Sequence, residues 1–163
     1  MNGNKPTWTL VAHVGIIGHD RILISLSSSH FINDIIKKNQ KLSVNIVDEG
    51  ILPQADYAGS VSGEKEDKGN LFAYELGEGG TPLIEKSPLV MECTVDDIYN
   101  TPNFESFICT IDNTYAEEGC LNEEGNIDYQ VLKPVLFEFP TYEYLRTGEL
   151  LGKCLSLKDR KTV

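Results

Sequence analysis

The sequence predicts a mainly β fold, an antiparallel barrel with short peripheral helices. Five segments are rich in β-branched and aromatic residues, which is typical of strands. These segments do not alternate regularly with helices, which argues against a parallel sheet. The chain has 163 residues, of which 40% are hydrophobic and 24% are charged. Its size and composition are those of one globular domain, and we expect a single domain over residues 1–163.

The predicted strands cover residues 7–14, 22–27, 42–47, 89–99 and 105–116. In the first of them, the even positions from Trp8 to Val14 suit a core, because successive side chains of a strand point to opposite faces. The odd positions, which include Thr7, Thr9 and His13, form a mixed and partly polar face. We therefore expect this strand to bury its even-numbered face.

Residues 28–39 form the clearest predicted helix. Four apolar residues between Phe31 and Ile36 fall on one stripe, and serines precede them as candidate N-caps. Two lysines near the C-terminal end would interact favourably with the helix dipole. The remaining predictions are short helices broken by glycines at 48–76, a loop at 77–80 and a last helix at 129–137.

The charge of the chain argues against two classes of partner. The sequence has 25 acidic and 14 basic residues, a formal net charge of −11 with histidine neutral. This charge repels nucleic-acid phosphates and anionic lipids, so neither is expected as a partner. No apolar run approaches the roughly 18 residues of a membrane-spanning helix, and the first residues are too polar for a secretory signal. We therefore expect a cytoplasmic protein.

Metal and disulfide chemistry is not expected either. The four cysteines stand far apart without C-x-x-C spacing, and the three histidines form no local ligand pair. Free thiols in a reducing compartment are the simpler interpretation. The sequence also lacks the glycine patterns of Rossmann and P-loop nucleotide sites and the G-x-S-x-G turn of serine hydrolases.

The serine run before the predicted helix is a candidate anion site. Ser27, Ser28, Ser29 and His30 lie where a strand ends and a helix begins. Free backbone amides and the helix dipole favour an anion at such a point, and hydroxyl groups or a protonated imidazole would add to the attraction. In the alternative interpretation, one serine caps the helix and the others are solvated. The residues alone leave both interpretations open.

Several short motifs follow one another along nearly the whole chain. They are N-G-N-K-P at 2–6, G-I-I-G at 15–18, S-L-S-S-S at 25–29, V-N-I at 44–46, D-Y-A-G-S-V-S-G at 56–63 with D-K at 67–68, L-K-P at 132–134 and L-x-x-G-E-x-L-G-K at 145–153. In this order they resemble the flavin reductase-like family, and specifically its flavoredoxin branch. The string from Asp56 to Lys68 is the most specific part of the resemblance.

The resemblance implies an antiparallel, Greek-key-like split β-barrel that binds FMN, usually as a homodimer with the flavin near the subunit interface. Members pass electrons or hydride from NAD(P)H through FMN to an acceptor, with no side chain as nucleophile, because the cofactor carries the chemistry. Relatives place a strand before the N-G-x-P turn, so we expect this domain to lack the family's first strand.

The resemblance also implies a set of cofactor-binding residues. Ser27, Ser29 and His30 would form the binding site for the FMN phosphate, and Lys68 would approach the cofactor. The odd face of the first strand would look toward the isoalloxazine ring, and a tyrosine falls where many relatives place a histidine. The full set is Thr7, Thr9, His13, Ser27, Ser29, His30, Lys68 and Tyr115.

This chain departs from the family pattern at the expected site. Relatives typically carry arginine at His30, tryptophan at His13 and threonine at Ile32. Arginine offers a bidentate fork to phosphate that histidine cannot reproduce. A degenerate, non-catalytic split-barrel dimer that serves as a binding or interaction module is therefore the alternative hypothesis.

Overall fold

A five-stranded antiparallel sheet is the main element of the computed structural model, which describes residues 1–156. The strands of the described chain are β1 (His13–Ile16), β2 (Arg21–Ser27), β3 (Lys41–Asn45), β4 (Tyr74–Leu76), β5 (Pro82–Ile84), β6 (Leu89–Asn100), β7 (Phe104–Ala116), β8 (Val135–Glu138) and β9 (Glu143–Arg146). The main sheet has the order β1-β2-β7-β6-β3, while β4-β5 and β8-β9 form two separate hairpins. The prediction of a mainly β, antiparallel fold is confirmed.

The core forms on one face of this sheet because alternate residues of its strands are apolar. In β2, buried and half-buried residues alternate strictly, and Ile22 is 0% exposed. Ile22 is paired with Cys109, and its neighbour Ile24 with Phe107, which is also 0% exposed. Helix α1 (Ile32–Asn39) covers this face with Ile36. The predicted strands at 22–27, 42–47, 89–99 and 105–116 are confirmed to within two residues at each end.

The first predicted strand is wrong in extent. It pairs only from His13 onward, where β1 joins β2, and residues 7–12 enter no ladder within the described chain. Trp8 is buried, but Ala12 and Val14 are exposed because β1 lies at the edge of the sheet. The alternation of apolar and polar side chains along a sequence does not reveal which neighbouring elements the folded chain provides to cover that strand.

Two predicted helical segments also differ. Helix α1 begins at Ile32, and the serines before it form a turn. Residues 129–137 split into a single helical turn, α3 (Tyr129–Leu132), and strand β8. Lys133 adopts a left-handed conformation with φ 46°, and the proline that follows disfavours helical backbone at this residue. The helix therefore cannot continue.

One helix, α2 (Leu52–Ser60), replaces the short helices predicted between residues 48 and 76. Gly59 lies inside it and does not break it. A Cβ atom at Gly59 would lie 2.8 Å from Cβ of Leu10, so glycine allows α2 to pack closely against the N-terminal segment. The last residues of the predicted helical region form β4.

The four cysteines are free thiols; Cys93, Cys109 and Cys120 are buried and Cys154 is exposed. Burial raises the pKa of Cys93 and of Cys109 to about 12, so both stay protonated at neutral pH. Within residues 1–156, no helix is both long enough and apolar enough to cross a membrane.

Candidate functional site

A cavity of about 1150 Å³ lies between the N-terminal segment, the end of β2, the start of α1 and the β8–β9 hairpin. Five residues of the predicted site line it, from three places in the chain. They are Thr7, Thr9, His13, Ser27 and His30. The packing of the N-terminal segment over the sheet thus brings together residues that the sequence separates by up to 23 positions.

The turn at the start of α1 is held by hydrogen bonds. The His30 amide donates to the carbonyl oxygen of Ser27 at 3.0 Å, and the Asn33 side-chain amide donates to the same oxygen at 2.9 Å. Ser29 does not line the cavity, but its hydroxyl lies 3.0 Å from that of Ser27. No serine side chain caps α1, whose N-cap residue is Phe31. The capping interpretation is therefore not supported, and the Ser27 hydroxyl also accepts a hydrogen bond from the Ser29 amide at 3.5 Å.

Lys68 is buried, 6% exposed, and lies outside this cavity. Its ammonium donates to the carbonyl oxygens of Ala58 at 2.8 Å and Val61 at 3.0 Å, at the C-terminal end of α2. Burial lowers the pKa of Lys68 below its usual value. Together with Thr7, Lys68 lines a second, smaller cavity of about 290 Å³. Lys68 thus holds the α2 end in place.

The D-Y-A-G-S-V-S-G string packs at the cavity, and four of its residues line it: Asp56, Ala58, Gly59 and Ser60. A Cβ atom at Gly63 would lie 2.9 Å from Oγ1 of Thr7 and 3.1 Å from Cδ1 of Phe31, so glycine lets this loop contact both the N-terminal segment and the start of α1. Asp56 accepts a hydrogen bond from the Tyr144 hydroxyl at 2.6 Å. This contact attaches the β8–β9 hairpin to α2.

Replacing Lys68 with alanine is expected to destabilise the fold by about 1–3 kcal/mol, because two carbonyl oxygens at the α2 end lose their donor. Urea unfolding monitored by circular dichroism measures this change. The matched control is Lys65→Ala, since Lys65 is an exposed residue of the same loop. Equal stability of the Lys68 and Lys65 variants would show that the ammonium does not hold the α2 end.

Aromatic rings line the same cavity beside the serine turn, because Phe104 on β7 is the cross-strand partner of Ser27. His13 lies 4.8 Å from Phe139 and 5.5 Å from Phe104, measured between ring centroids, and Phe139 lies 5.4 Å from Tyr142. Burial and the bond to Asp56 raise the pKa of Tyr144 to about 12, so its hydroxyl remains a donor at neutral pH. The cavity therefore joins a hydroxyl-rich turn to an aromatic surface.

Tyr115 is not brought to this cavity. Its hydroxyl donates to Glu92 at 2.9 Å and accepts from the Glu78 amide at 3.1 Å. Glu92, 1% exposed, also accepts from the Gly79 amide and from both the amide and the hydroxyl of Thr81. Burial alone would raise the pKa of Glu92, but these bonds outweigh it and lower the pKa to about 2. Tyr115 thus helps to hold the β4–β5 loop.

Sequence reasoning missed three residues of the site. Phe104 and Phe139 supply aromatic surface on both sides of His13, and Asn33 anchors the serine turn. Asn33 is 1% exposed in the first turn of α1, and a buried asparagine there suggests a bonding role to the adjacent turn. The two phenylalanines carried no local signal, because each reaches His13 only through tertiary packing.

The fold and the site define an antiparallel β protein whose cavity brings hydroxyl and imidazole groups together with aromatic rings. The model of the "Flavin reductase like domain" family matches residues 7–145. The chain belongs to this family, and the resemblance found in the sequence is confirmed.

Solved structures agree with this assignment. Flavoredoxin from Methanosarcina acetivorans is 30% identical, with a TM-score of 0.84, over 90% of this chain and 80% of that one. Flavoredoxin of Desulfovibrio vulgaris (Miyazaki F) is 27% identical, with a TM-score of 0.87, over 94% and 85%. A flavin reductase with a split barrel domain from Shewanella frigidimarina, described as putative in its title, shares the fold at 16% identity and a TM-score of 0.78, over 90% and 77%. The fold is therefore a split barrel. The comparison with curated proteins gave no match.

Proposed function

We propose that this protein binds FMN in the cavity and acts as an oxidoreductase between NAD(P)H and an acceptor. The observation that carries the proposal is the joining, in a chain of the flavin reductase-like family, of a hydroxyl-rich turn and an aromatic surface in one cavity. The names of the two flavoredoxin structures support a redox role for the same architecture.

The donor set fits a flavin mononucleotide. In the proposed arrangement, the hydroxyls of Ser27 and Ser29 receive the phosphate together with the amides at the start of α1 other than that of Asn33, which donates to the His30 carbonyl. The first amides of a helix lack intrahelical partners. Thr7 and Thr9 offer hydrogen bonds to the polar edge of the ring, while the aromatic surface around His13 covers its apolar part. Lys68 contributes long-range positive charge from behind the wall, and no direct role is proposed for Tyr115.

When bound, FMN would supply the hydride and electron chemistry, which the side chains of the site do not perform. The protein residues bind and orient the ring, and the aromatic surface excludes water from its apolar part. Among the described residues that line the cavity there is no arginine. In the proposed arrangement, the phosphate is bound by hydroxyls, amides and imidazole, while Lys41 also lines the cavity.

We also propose a homodimer in the cytoplasm. Strand β1 is an edge of the main sheet, and three apolar residues on and after it are exposed: Val14 by 42%, Ile16 by 62% and Ile17 by 55%. An exposed, apolar edge strand favours pairing with another chain. A second copy of this chain would cover it.

The test is a titration of the purified protein with FMN. We expect quenching of flavin fluorescence, a yellow protein after gel filtration, and oxidation of NADH or NADPH by the loaded protein when an acceptor is added. Adenosine monophosphate, which carries a phosphate but no flavin ring, is the control ligand and should not displace FMN at equal concentration.

A protein that stays colourless after incubation with excess FMN and gel filtration, and that does not quench flavin fluorescence, contradicts the proposal. That outcome favours the non-catalytic interaction module instead. A yellow protein that oxidises neither nicotinamide cofactor would be an electron carrier that needs another donor.

A further inference from the structure

We propose that His30 takes up a proton from solvent when the phosphate of FMN binds, so that FMN affinity falls as pH rises through the neutral range. This inference rests on the proposed function, because it assigns the phosphate to the turn that contains His30. It adds a residue-specific coupling between ligand binding and protonation.

The geometry places His30 at the phosphate end of the cavity with little freedom. Its amide donates to Ser27 at 3.0 Å, and its carbonyl accepts from the Asn33 amide at 3.1 Å. The Asn33 side chain, 1% exposed, bonds to the same Ser27 carbonyl. Backbone and buried groups therefore hold the turn, and His30 lines the cavity together with Ser27.

The surroundings of His30 disfavour its positive charge when no anion is bound. The residue is half-buried, and burial and the positive charge of Lys68 lower its pKa below the ordinary value. Lys68 does not replace it as a phosphate ligand, because its ammonium is already bound to two carbonyl oxygens. The free protein therefore carries mostly neutral His30 at neutral pH.

Other charged groups on the elements around His30 are largely paired. The paired groups are Lys37 with Asp34 and Glu105, Lys5 with Asp67, and Glu66 with the Tyr57 hydroxyl. Glu64 and Lys65 also carry charge, on the loop before Lys68. Two further cationic groups line the cavity, Lys41, whose ammonium donates to the Gly79 carbonyl, and the Met1 amino group. His13 also lines it, between Phe104 and Phe139. His13 is therefore the main competitor in any test.

A bound phosphate dianion reverses the preference of His30 for its neutral form. It stabilises the imidazolium by a charge-assisted hydrogen bond, so the pKa of His30 rises on binding and a proton is taken up. Affinity is then highest where His30 is protonated and decreases with rising pH. The phosphate itself loses its second proton near pH 6, so its growing charge acts in the opposite direction up to about pH 7 and hardly changes above it.

The experiment is isothermal titration of the full chain with FMN and with riboflavin, which lacks the phosphate. We expect the Kd of FMN to rise about threefold between about pH 6.5 and about pH 8.5, because one pKa unit of coupling gives about tenfold in total and part of that change falls at lower pH, where the free His30 titrates. The Kd of riboflavin should change less than about twofold. The heat of FMN binding at neutral pH should also depend on the protonation enthalpy of the buffer.

Substitutions of His30 test whether this residue is the group that takes up the proton when FMN binds. His30→Arg carries a permanent charge and should bind FMN with little pH dependence and no buffer-dependent heat, while His30→Gln should bind weakly at every pH. His19→Gln, on an exposed turn, is the matched control and should behave like the unmodified protein. Thermal unfolding checks that each variant is folded.

Two outcomes overturn the inference while leaving the proposed function intact. One is FMN binding whose Kd and heat do not depend on pH or buffer. The other is a pH dependence that persists in His30→Gln and disappears in His13→Gln. Absence of FMN binding at every pH would instead overturn the proposed function, and the coupling with it.

Discussion

Replacing Glu92 with glutamine is expected to destabilise the fold by about 3 kcal/mol at neutral pH. The pKa of Glu92 is lowered from 4.5 to about 2 in the folded chain, and each pKa unit corresponds to about 1.4 kcal/mol. Glutamine keeps the shape but places an amide donor among groups that all donate, from Gly79, Thr81 and Tyr115. The loop between β4 and β5 would lose its anchor on β6.

The pH dependence of the free energy of unfolding provides a second test of the role of Glu92. Its folded-state pKa lies below the unfolded value, so its contribution is complete above about pH 4.5 and is lost as pH falls toward about pH 2. Urea unfolding across this range should show the difference between protein and variant shrinking with acid. Glu75→Gln is the matched control, because Glu75 is exposed on β4. A constant difference at all pH values would contradict the assignment.

Replacing Ser27 with aspartate is expected to weaken FMN binding about a thousandfold. A new carboxylate about 4 Å from the phosphate would cost about 4 kcal/mol for one unit charge at an effective dielectric constant of about 20, so a thousandfold loss is the lower bound for a dianion. Ser27→Ala removes only a hydroxyl and should weaken binding by about fivefold, as for an ordinary hydrogen bond. Fluorescence titration measures both effects.

Riboflavin separates the two causes that a loss of binding could have. Because it lacks the phosphate, the Ser27→Asp variant should bind it nearly as well as the unmodified protein does. Loss of both ligands would indicate a distorted cavity, which thermal unfolding would reveal. Unchanged FMN affinity in this variant would place the phosphate away from the serine turn.

Some of the fold could be predicted because it depends on local patterns. The β-branched and aromatic content that predicted β2 and the apolar stripe of α1 each lie within one element, and each matches the structure. The family was also accessible, since its motifs occur in order along the chain and the family model covers residues 7–145. The edge position of β1 was not, because whether a strand has a neighbour depends on distant residues.

The candidate site divides in the same way. The serine turn and His30 could be found, since a strand end followed by a helix start is a local feature with known chemistry. Lys68 could be singled out but not placed. Its sequence position gave no sign that its ammonium would be bound by the end of α2, ten and seven residues earlier. Phe139 had no signal at all, because it meets His13 across 126 residues.

The sequence by itself therefore determined the class of fold, the family and the net acidic charge, and it singled out the serine turn as a candidate anion site. These follow from composition, periodicity and short motifs, which act over a few residues. Only the tertiary structure decided which groups face the cavity and which are already bonded: it directed Lys68 to carbonyls, Tyr115 to Glu92, and His30 to the wall. The reason is that a buried polar group must satisfy its hydrogen bonds with whatever partners packing provides.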